Sequence, residues 1–355
     1  MERISKRQAM WMGAGISFDA TLISLPAQLM GLSRQDSWLV YLLAGAVVAV
    51  CLWMLIRVSK RFEGSDLYEA LVRRFKVAGR GVVLLYTLLI FFILCRDLRM
   101  LTDFVNIQLL QKTPLMAISL LVAVTIVFIA RGGIEMLGRI TELYLPLLLL
   151  VVLTLPLLTA KEFEPRYFKP VLDSGIPQVL KSGWMAFGYL TEILILPFIL
   201  PYKIFNMRNG LIGLGGGVFF LTLLIALDLL TLGPHIGSRF MYPNIELIRQ
   251  IRITDFLDRF DIAVISIWLP SIVTKIGYGV YIVSHGLHRV FPSASAQRLT
   301  TGVGAMAMTC SMWFFENSIQ LLKLNYAWPA VMAVYGVLVP LLLLLFLRPR
   351  KNQLS

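Results

Sequence analysis

The chain has 355 residues, 58% of them hydrophobic and 15% charged, with a mean hydropathy of +0.77. A soluble domain carries far more polar surface, and here the apolar residues fall in runs of about 20, the length that crosses roughly 30 Å of hydrocarbon; a soluble enzyme is excluded in favour of a polytopic membrane protein. The net charge of +13 is scattered over loops with no compact basic domain, which speaks against nucleic acid as a partner.

Ten spans are expected, at approximately 8–31, 38–57, 81–104, 115–130, 138–159, 178–200, 210–233, 261–286, 298–315 and 327–348. The first lacks a small-residue cleavage site and is one of many similar spans, so it reads as a membrane helix and not as a removable signal. It ends in Ser-Phe-Asp-Ala-Thr-Leu-Ile-Ser-Leu-Pro, Ser17 to Pro26. The basic segment from Arg57 to Arg80 reads as an amphipathic helix on the membrane surface. The third span closes on Cys-Arg-Asp-Leu-Arg-Met-Leu-Thr-Asp-Phe, Cys95 to Phe104, read as a charged outer end. The fifth carries Glu142. The sixth holds a carboxylate, Glu192, close to Pro197 and Pro201.

Gly210 to Gly217 is glycine-rich, but no Lys-Ser/Thr follows, so it is not a phosphate loop; Gly213 and Gly217 predict close helix packing. Asp228 in the seventh span is a candidate helix–helix hydrogen-bond partner. Beyond it, Asn244 can cap a helix after Pro243. Ile253, Phe256, Leu257, Phe260 and Val264 recur at helical spacing among Arg249, Arg252, Asp255, Asp258 and Arg259. That pattern predicts an external amphipathic helix lying over the bundle. Lys275 lies past the middle of the eighth span, where an unpaired ammonium is expensive; Asp19 and Glu142 are its possible ion-pair partners. Cys51, Cys95 and Cys310 share no ligand spacing, and His235, His285 and His288 are too few and too separated for a metal site. No nucleophile–base set is present. Neither a cofactor nor an enzymatic activity is expected.

Lys and Arg counts set the orientation. With the N-terminus inside, inner segments hold 19 of them and outer segments 13, while acidic residues number 5 inside and 11 outside. Both termini are therefore expected in the cytoplasm.

Gly188 to Tyr202 and Ser17 to Pro26 share a layout. Placing Pro26 on Pro197, an offset of 171 residues, puts Phe18 on Tyr189 and Thr21 on Glu192. Spans one to five then correspond in order to six to ten. Five is odd, so the halves enter the membrane from opposite sides. The expectation is one transmembrane domain over 1–355, with a first inverted repeat at 1–160, a second at 175–350, and broken first and sixth helices. Paired interrupted helices point to a midplane site, because their freed backbone groups must face a cavity or a ligand. Phe18, Asp19, Ala20, Thr21, Phe187, Gly188, Tyr189, Thr191 and Glu192 are the expected ligand-binding residues.

Several stretches carry a family resemblance together: Phe187 to Tyr202; Arg131 to Leu150 with its Gly-Arg-x-x-Glu pattern; Phe163 to Tyr189; and Ser238 to Tyr281, running from Tyr-Pro through Phe-x-x-Arg to Trp and Lys. Over nearly its whole length the chain resembles the membrane-embedded B subunit of spore nutrient germinant receptors, the GerAB type. One departure stands out: where that family often has Gly-Thr-Gly before Leu-x-x-Pro, this chain has Asp19, Ala20 and Thr21. The resemblance implies a fold related to amino acid–polyamine–organocation transporters and a place in the spore inner membrane. It implies A and C partner subunits and a small nutrient ligand such as an amino acid. In related transporters a sodium ion or a lysine occupies the neighbourhood of Lys275, so that lysine is either a substitute for a bound cation or a structural ion-pair partner. Sensing, proton-coupled transport and a water or ion conduit are all compatible with such a fold.

Overall fold

The computed structural model describes residues 4–22, 25–62, 64–251 and 260–347, with the side chains of residues 20–22 outside the description. Among the described residues every regular element is helical. In chain order these are α1 (Lys6–Leu22), α2 (Pro26–Ser33), α3 (Ser37–Ser59), α4 (Leu67–Phe75), α5 (Val77–Gln108), α6 (Leu115–Arg131), α7 (Gly133–Thr159), α8 (Ile176–Leu190), α9 (Leu196–Ile199), α10 (Met207–Gly237), α11 (Pro243–Arg249), α12 (Phe260–Val290), α13 (Ala296–Phe314), α14 (Ser318–Ala333) and α15 (Val339–Phe346). Among the described residues seven stretches are long and apolar enough to cross a membrane: Pro26–Phe62, Val77–Gln108, Gly133–Glu162, Ile176–Ile199, Met207–Gly237, Phe260–Val290 and Ser318–Phe346. Of the ten expected spans, the first covers α1 and most of α2, and the fourth and ninth fall on α6 and α13; α1, α6 and α13 are not among these seven stretches. Large apolar side chains stand exposed on the outside of the bundle, such as Leu121 at 70% and Phe128 at 71%, as a lipid-facing surface requires.

Local sequence explains the interruptions. Pro26 opens α2, a position where its missing N–H costs nothing. After α8 the chain tightens into a 3-10 turn, Thr191–Ile195, before Pro197 in the first turn of α9. A 3-10 turn retains i→i+3 backbone bonds, so this second interruption is a tightening, where the sequence predicts a helix with freed backbone groups. Side-chain caps start other elements: Asp66 accepts from the Glu69 amide at 2.7 Å ahead of α4, and Asn206 from the Asn209 amide at 3.1 Å ahead of α10. The expected cap at Asn244 is corrected. Pro243 itself begins α11, whose N-cap position is Tyr242, and this leaves Asn244 inside the first turn. Of the amphipathic helix expected over Ile253 to Val264, residues 252–259 lie outside the described set, while Phe260 and Val264 belong to the start of α12.

The glycine pair packs as expected. A Cβ on Gly213 would sit 2.8 Å from the Met10 carbonyl, and one on Gly217 would sit 2.6 Å from Ser17 Cβ. α10 therefore lies directly against α1. α12 in turn packs on α5, α6, α7 and α13, which makes it the central post of its half.

Candidate functional site

Four charged side chains meet in the interior. Arg96 and Asp97 come from α5, Glu192 from the 3-10 turn after α8, and Lys275 from α12. Arg96 Nη2 donates to Glu192 Oε1 and to Asp97 Oδ1, both at 2.6 Å. Lys275 Nζ lies 2.8 Å from Glu192 Oε2 and also pairs with Asp97 Oδ2. Each carboxylate thus bridges both cations, and the ring closes with no net charge. All four are buried, Arg96 at 0% exposure and Glu192 at 1%. Two aromatic rings flank the guanidinium: Arg96 Cζ lies 4.4 Å from the Tyr189 centroid and 4.9 Å from that of Trp328. A weakly hydrated planar cation suits such faces. One nitrogen, Arg96 Nη1, has no hydrogen-bond partner among the described residues.

Asp97, Glu192 and Lys275 of the ring border a cavity of about 340 Å³, including its open mouth, whose remaining wall is mostly isoleucine with Tyr278. One turn along α12 from Lys275, Ser271 donates to Asp19 Oδ2 at 2.7 Å, while Asp19 Oδ1 is buried with no hydrogen-bond partner among the described residues. A turn further, Trp268 lines a second and more apolar cleft of about 520 Å³, together with Phe18, Phe104 and Tyr242. Trp268, Ser271 and Lys275 follow i, i+3, i+7 spacing and so share one helix face.

The expected site residues divide accordingly. Glu192 lies in the ring, Asp19 lies one turn away, and Phe18 faces the second cleft. Tyr189 supports Arg96 and donates its hydroxyl to Asn325 Oδ1 at 2.5 Å, and Asn325 in turn donates to Gln28 at 2.6 Å. Phe187 stacks on Trp184 with centroids 5.5 Å apart. Gly188 lets α8 close on α14, since a Cβ there would lie 3.0 Å from Pro329 Cα. The Thr191 hydroxyl bonds back to the Phe187 carbonyl at 2.5 Å. The backbones of Ala20 and Thr21 end α1, and their side chains lie outside the described set.

The expected partners of Lys275 are corrected. It pairs with Asp97 and Glu192, not with Asp19 or Glu142. Glu142 is instead bound by Arg7 near the start of α1, with both partly exposed. The difference originates in α5. Its charged stretch reads as the outer end of a span, yet the helix continues to Gln108 and buries Arg96, Asp97, Arg99 and Asp103. The signal was present: Arg96, Arg99 and Asp103 recur at i, i+3, i+7, the spacing of one inward face.

Two further clusters tie the ring's helices to their surroundings. Arg99 pairs with Asp103 at 2.8 Å and donates to the Glu316 carbonyl at 2.9 Å, while Asp103 accepts from Ser318 at 2.8 Å. At the other end, Asp66 meets His285 Nε2 at 3.3 Å and Arg289 at 2.9 Å. Burial alone would raise the Asp66 carboxyl, but the hydrogen bond and charge of His285, then Arg289 and the Glu69 amide, hold it below its ordinary value.

Residues 3–319 match the spore germination protein family. The chain belongs to that family. It is 31% identical to YfkT of Bacillus subtilis (strain 168) over 350 residues, covering 99% of this chain and 98% of YfkT. It is 23% identical to spore germination protein KB of the same organism, covering 89% of this chain and 87% of the relative. It is thus a membrane spore germination protein of the germinant-receptor B type, in a family that is not enzymatic. Among solved structures it superposes on Mhp1, a nucleobase-cation-symport-1 family transporter, with a TM-score of 0.71 at 11% identity, over 97% of this chain and 78% of Mhp1. A Na+-coupled sialic acid symporter follows at a TM-score of 0.63 and 14% identity, over 97% of this chain and 79% of that one. At such identities the likeness is one of fold. The germination protein therefore carries its four-charge ring inside a transporter-like helical frame.

Proposed function

We propose that this germination protein is the nutrient-binding membrane subunit of a receptor, and that it reads a small zwitterion, such as an amino acid, beside the ring of Arg96, Asp97, Glu192 and Lys275. The carrying observation is a pair of buried polar atoms, Arg96 Nη1 in the ring and Asp19 Oδ1 beside it, that have no hydrogen-bond partner among the described residues. A donor and an acceptor left open in a low-dielectric interior suit a ligand carrying both charges. Lys275 takes the place a bound cation would occupy, so signalling does not depend on sodium.

The frame for this reading is a five-plus-five inverted repeat of ten spans, over 1–160 and 175–350. It is supported by the interruption between α1 and α2 and by the matching one between α8 and α9. Both termini lie in the cytoplasm, the membrane is the spore inner membrane, and A and C subunits receive the signal. The ligand acts by binding one conformation better than another, and complete passage is not required.

The test is a germination dose–response curve. Glu192→Gln removes one ring charge and keeps its shape. Spores carrying it at normal subunit levels should need about tenfold more nutrient, which corresponds to about 1.4 kcal/mol of binding. An unchanged curve at normal subunit levels defeats the reading. The likeness to symporters supports a second reading, proton-coupled transport of the same solute. Uptake of labelled solute into liposomes by the purified protein, driven by a pH gradient, would favour it.

A further inference from the structure

Away from the ring, a groove runs between α6 and α13. It encloses about 900 Å³ including its open side. Val124 and Phe128 stand on the α6 side, and Ala305 and Met308 on the α13 side. Its floor closes at Gly304, where a Cβ would collide with Val127. At one end lies a second hollow of about 790 Å³, lined by Arg131, Ser295, Gln297 and Arg298. Arg131 borders both, so groove and hollow are continuous.

The dimensions are informative. On α6 the groove extends from Leu120 to Arg131, and from Arg298 to Thr309 the wall of α13 covers as many residues. At about 1.5 Å rise per residue each wall is about 16 Å long, close to half of a hydrocarbon core of about 30 Å. The groove is therefore one leaflet deep, with its polar end at the membrane surface. Among the described residues neither guanidinium has an ion-pair partner, and no acidic side chain lines groove or hollow. The nearest acid along the chain, Glu135, is held by Arg139 at 2.6 Å.

We propose that this groove is a binding site for one anionic phospholipid, with its phosphate on Arg131 and Arg298 and an acyl chain along α6 and α13. Guanidinium groups match phosphate oxygens in pairs, and basic pockets between membrane helices recognise anionic head groups. A soluble phosphate would leave the apolar groove unfilled, and a zwitterionic lipid would bring a quaternary ammonium against two guanidinium groups with no acid in the lining to receive it. This site is separate from the ring and does not depend on the proposed nutrient function.

The test uses the purified full-length protein in detergent, with native mass spectrometry reading retained lipid. Probes are phosphatidylglycerol, phosphatidylcholine with the same chains, and inorganic phosphate. The protein should retain phosphatidylglycerol over phosphatidylcholine, and inorganic phosphate should not compete at equal concentration. Arg131→Gln with Arg298→Gln should weaken phosphatidylglycerol about 30-fold, at about fivefold per arginine near the surface. The Arg131→Lys, Arg298→Lys pair should keep the preference, which separates lost charge from lost fold. Ala305→Trp, at an exposed groove position, should weaken binding by blocking the acyl chain. Arg57→Gln with Arg80→Gln, which line neither groove nor hollow, should change little. Equal retention of the two lipids, competition by inorganic phosphate, insensitivity to Ala305→Trp, or an equal loss in the Arg57 and Arg80 control would each overturn the assignment.

Discussion

Removing Lys275 tests whether the ring is one coupled unit. Across the 2.8 Å between Lys275 Nζ and Glu192 Oε2, an effective dielectric of about 20 gives an attraction of about 6 kcal/mol. Desolvating each ion costs several kcal/mol, so an intact ring stands near break-even against an apolar replacement. Its energetic role emerges when one member is lost. Lys275→Met leaves two buried carboxylates sharing Arg96, and breaking a buried pair costs about 3–5 kcal/mol. That is a large part of the about 5–15 kcal/mol that holds a typical domain together. Adding Glu192→Gln removes the excess negative charge and leaves the Arg96–Asp97 pair, so the double variant should be more stable than Lys275→Met alone. Thermal and denaturant unfolding of the purified protein in detergent, with subunit levels in spores by immunoblot, would measure both. Wild-type stability for Lys275→Met would refute the argument. So would losses in the double variant that add to within about 0.5 kcal/mol, the behaviour of independent sites.

Thr191→Val should leave the germination dose–response near its original midpoint, because its hydroxyl is engaged by the Phe187 carbonyl; a shift as large as that of Glu192→Gln would mean that the hydroxyl reads the ligand. Gly217→Val places a Cβ 2.6 Å from Ser17 Cβ and should cost about 1–3 kcal/mol by overpacking α1 against α10, seen as a lowered unfolding temperature without a change in nutrient midpoint among surviving receptors. Asp66 supplies the pH test. Its carboxyl is lowered in the folded chain, so its contribution is fully present above the ordinary value of about 3.9 and is lost as pH falls through the lowered folded value. Asp66→Asn should therefore lower the unfolding temperature at neutral pH and flatten its dependence on pH below about 4; an unflattened profile would show that Asp66 does not clamp α4 to α12.

Where periodicity and helix breakers carry the information, the fold was legible. Long apolar runs announce a multi-pass protein, prolines mark both interruptions, and Gly213 with Gly217 announce a close helix contact, though not that its partner is α1. The ring was only half legible. Glu192 and Lys275 stand out because a lone charge in an apolar run is conspicuous. Arg96 and Asp97 do not, because they open a charged stretch that looks like the end of a span. Hydropathy averages over a window and cannot distinguish a buried charged face from a solvated terminus. The pairing was illegible for the same reason. With Arg96 and Asp97 read as a solvated end, the acids inside spans are the natural partners for Lys275. Support from Tyr189 and Trp328 depends on how α8 meets α14, a contact with no local signature.

The position of α12 explains why a sensor and a transporter can share this frame. One helix contributes to several buried polar layers. Asp261 holds Arg249 at 3.2 Å, Ser271 holds Asp19, Lys275 completes the ring, Tyr278 bonds Thr141, and His285 with Arg289 grips Asp66. These contacts recur along much of a helix about 46 Å long at 1.5 Å per residue. A small slide or rotation of α12 would break several of them together, each leaving a buried polar group unsatisfied. Gradual displacement is therefore costly throughout, and movement is favourable only where a second complete set of partners exists. That is the condition for two discrete states and not a continuum. In such a helix a ligand beside the ring need supply only the difference between the two partner sets. Whether the outcome is release of a solute or a signal to neighbouring subunits is decided by what the moved elements touch at the membrane surfaces, starting with α4, which Asp66 and Glu69 fasten to the end of α12.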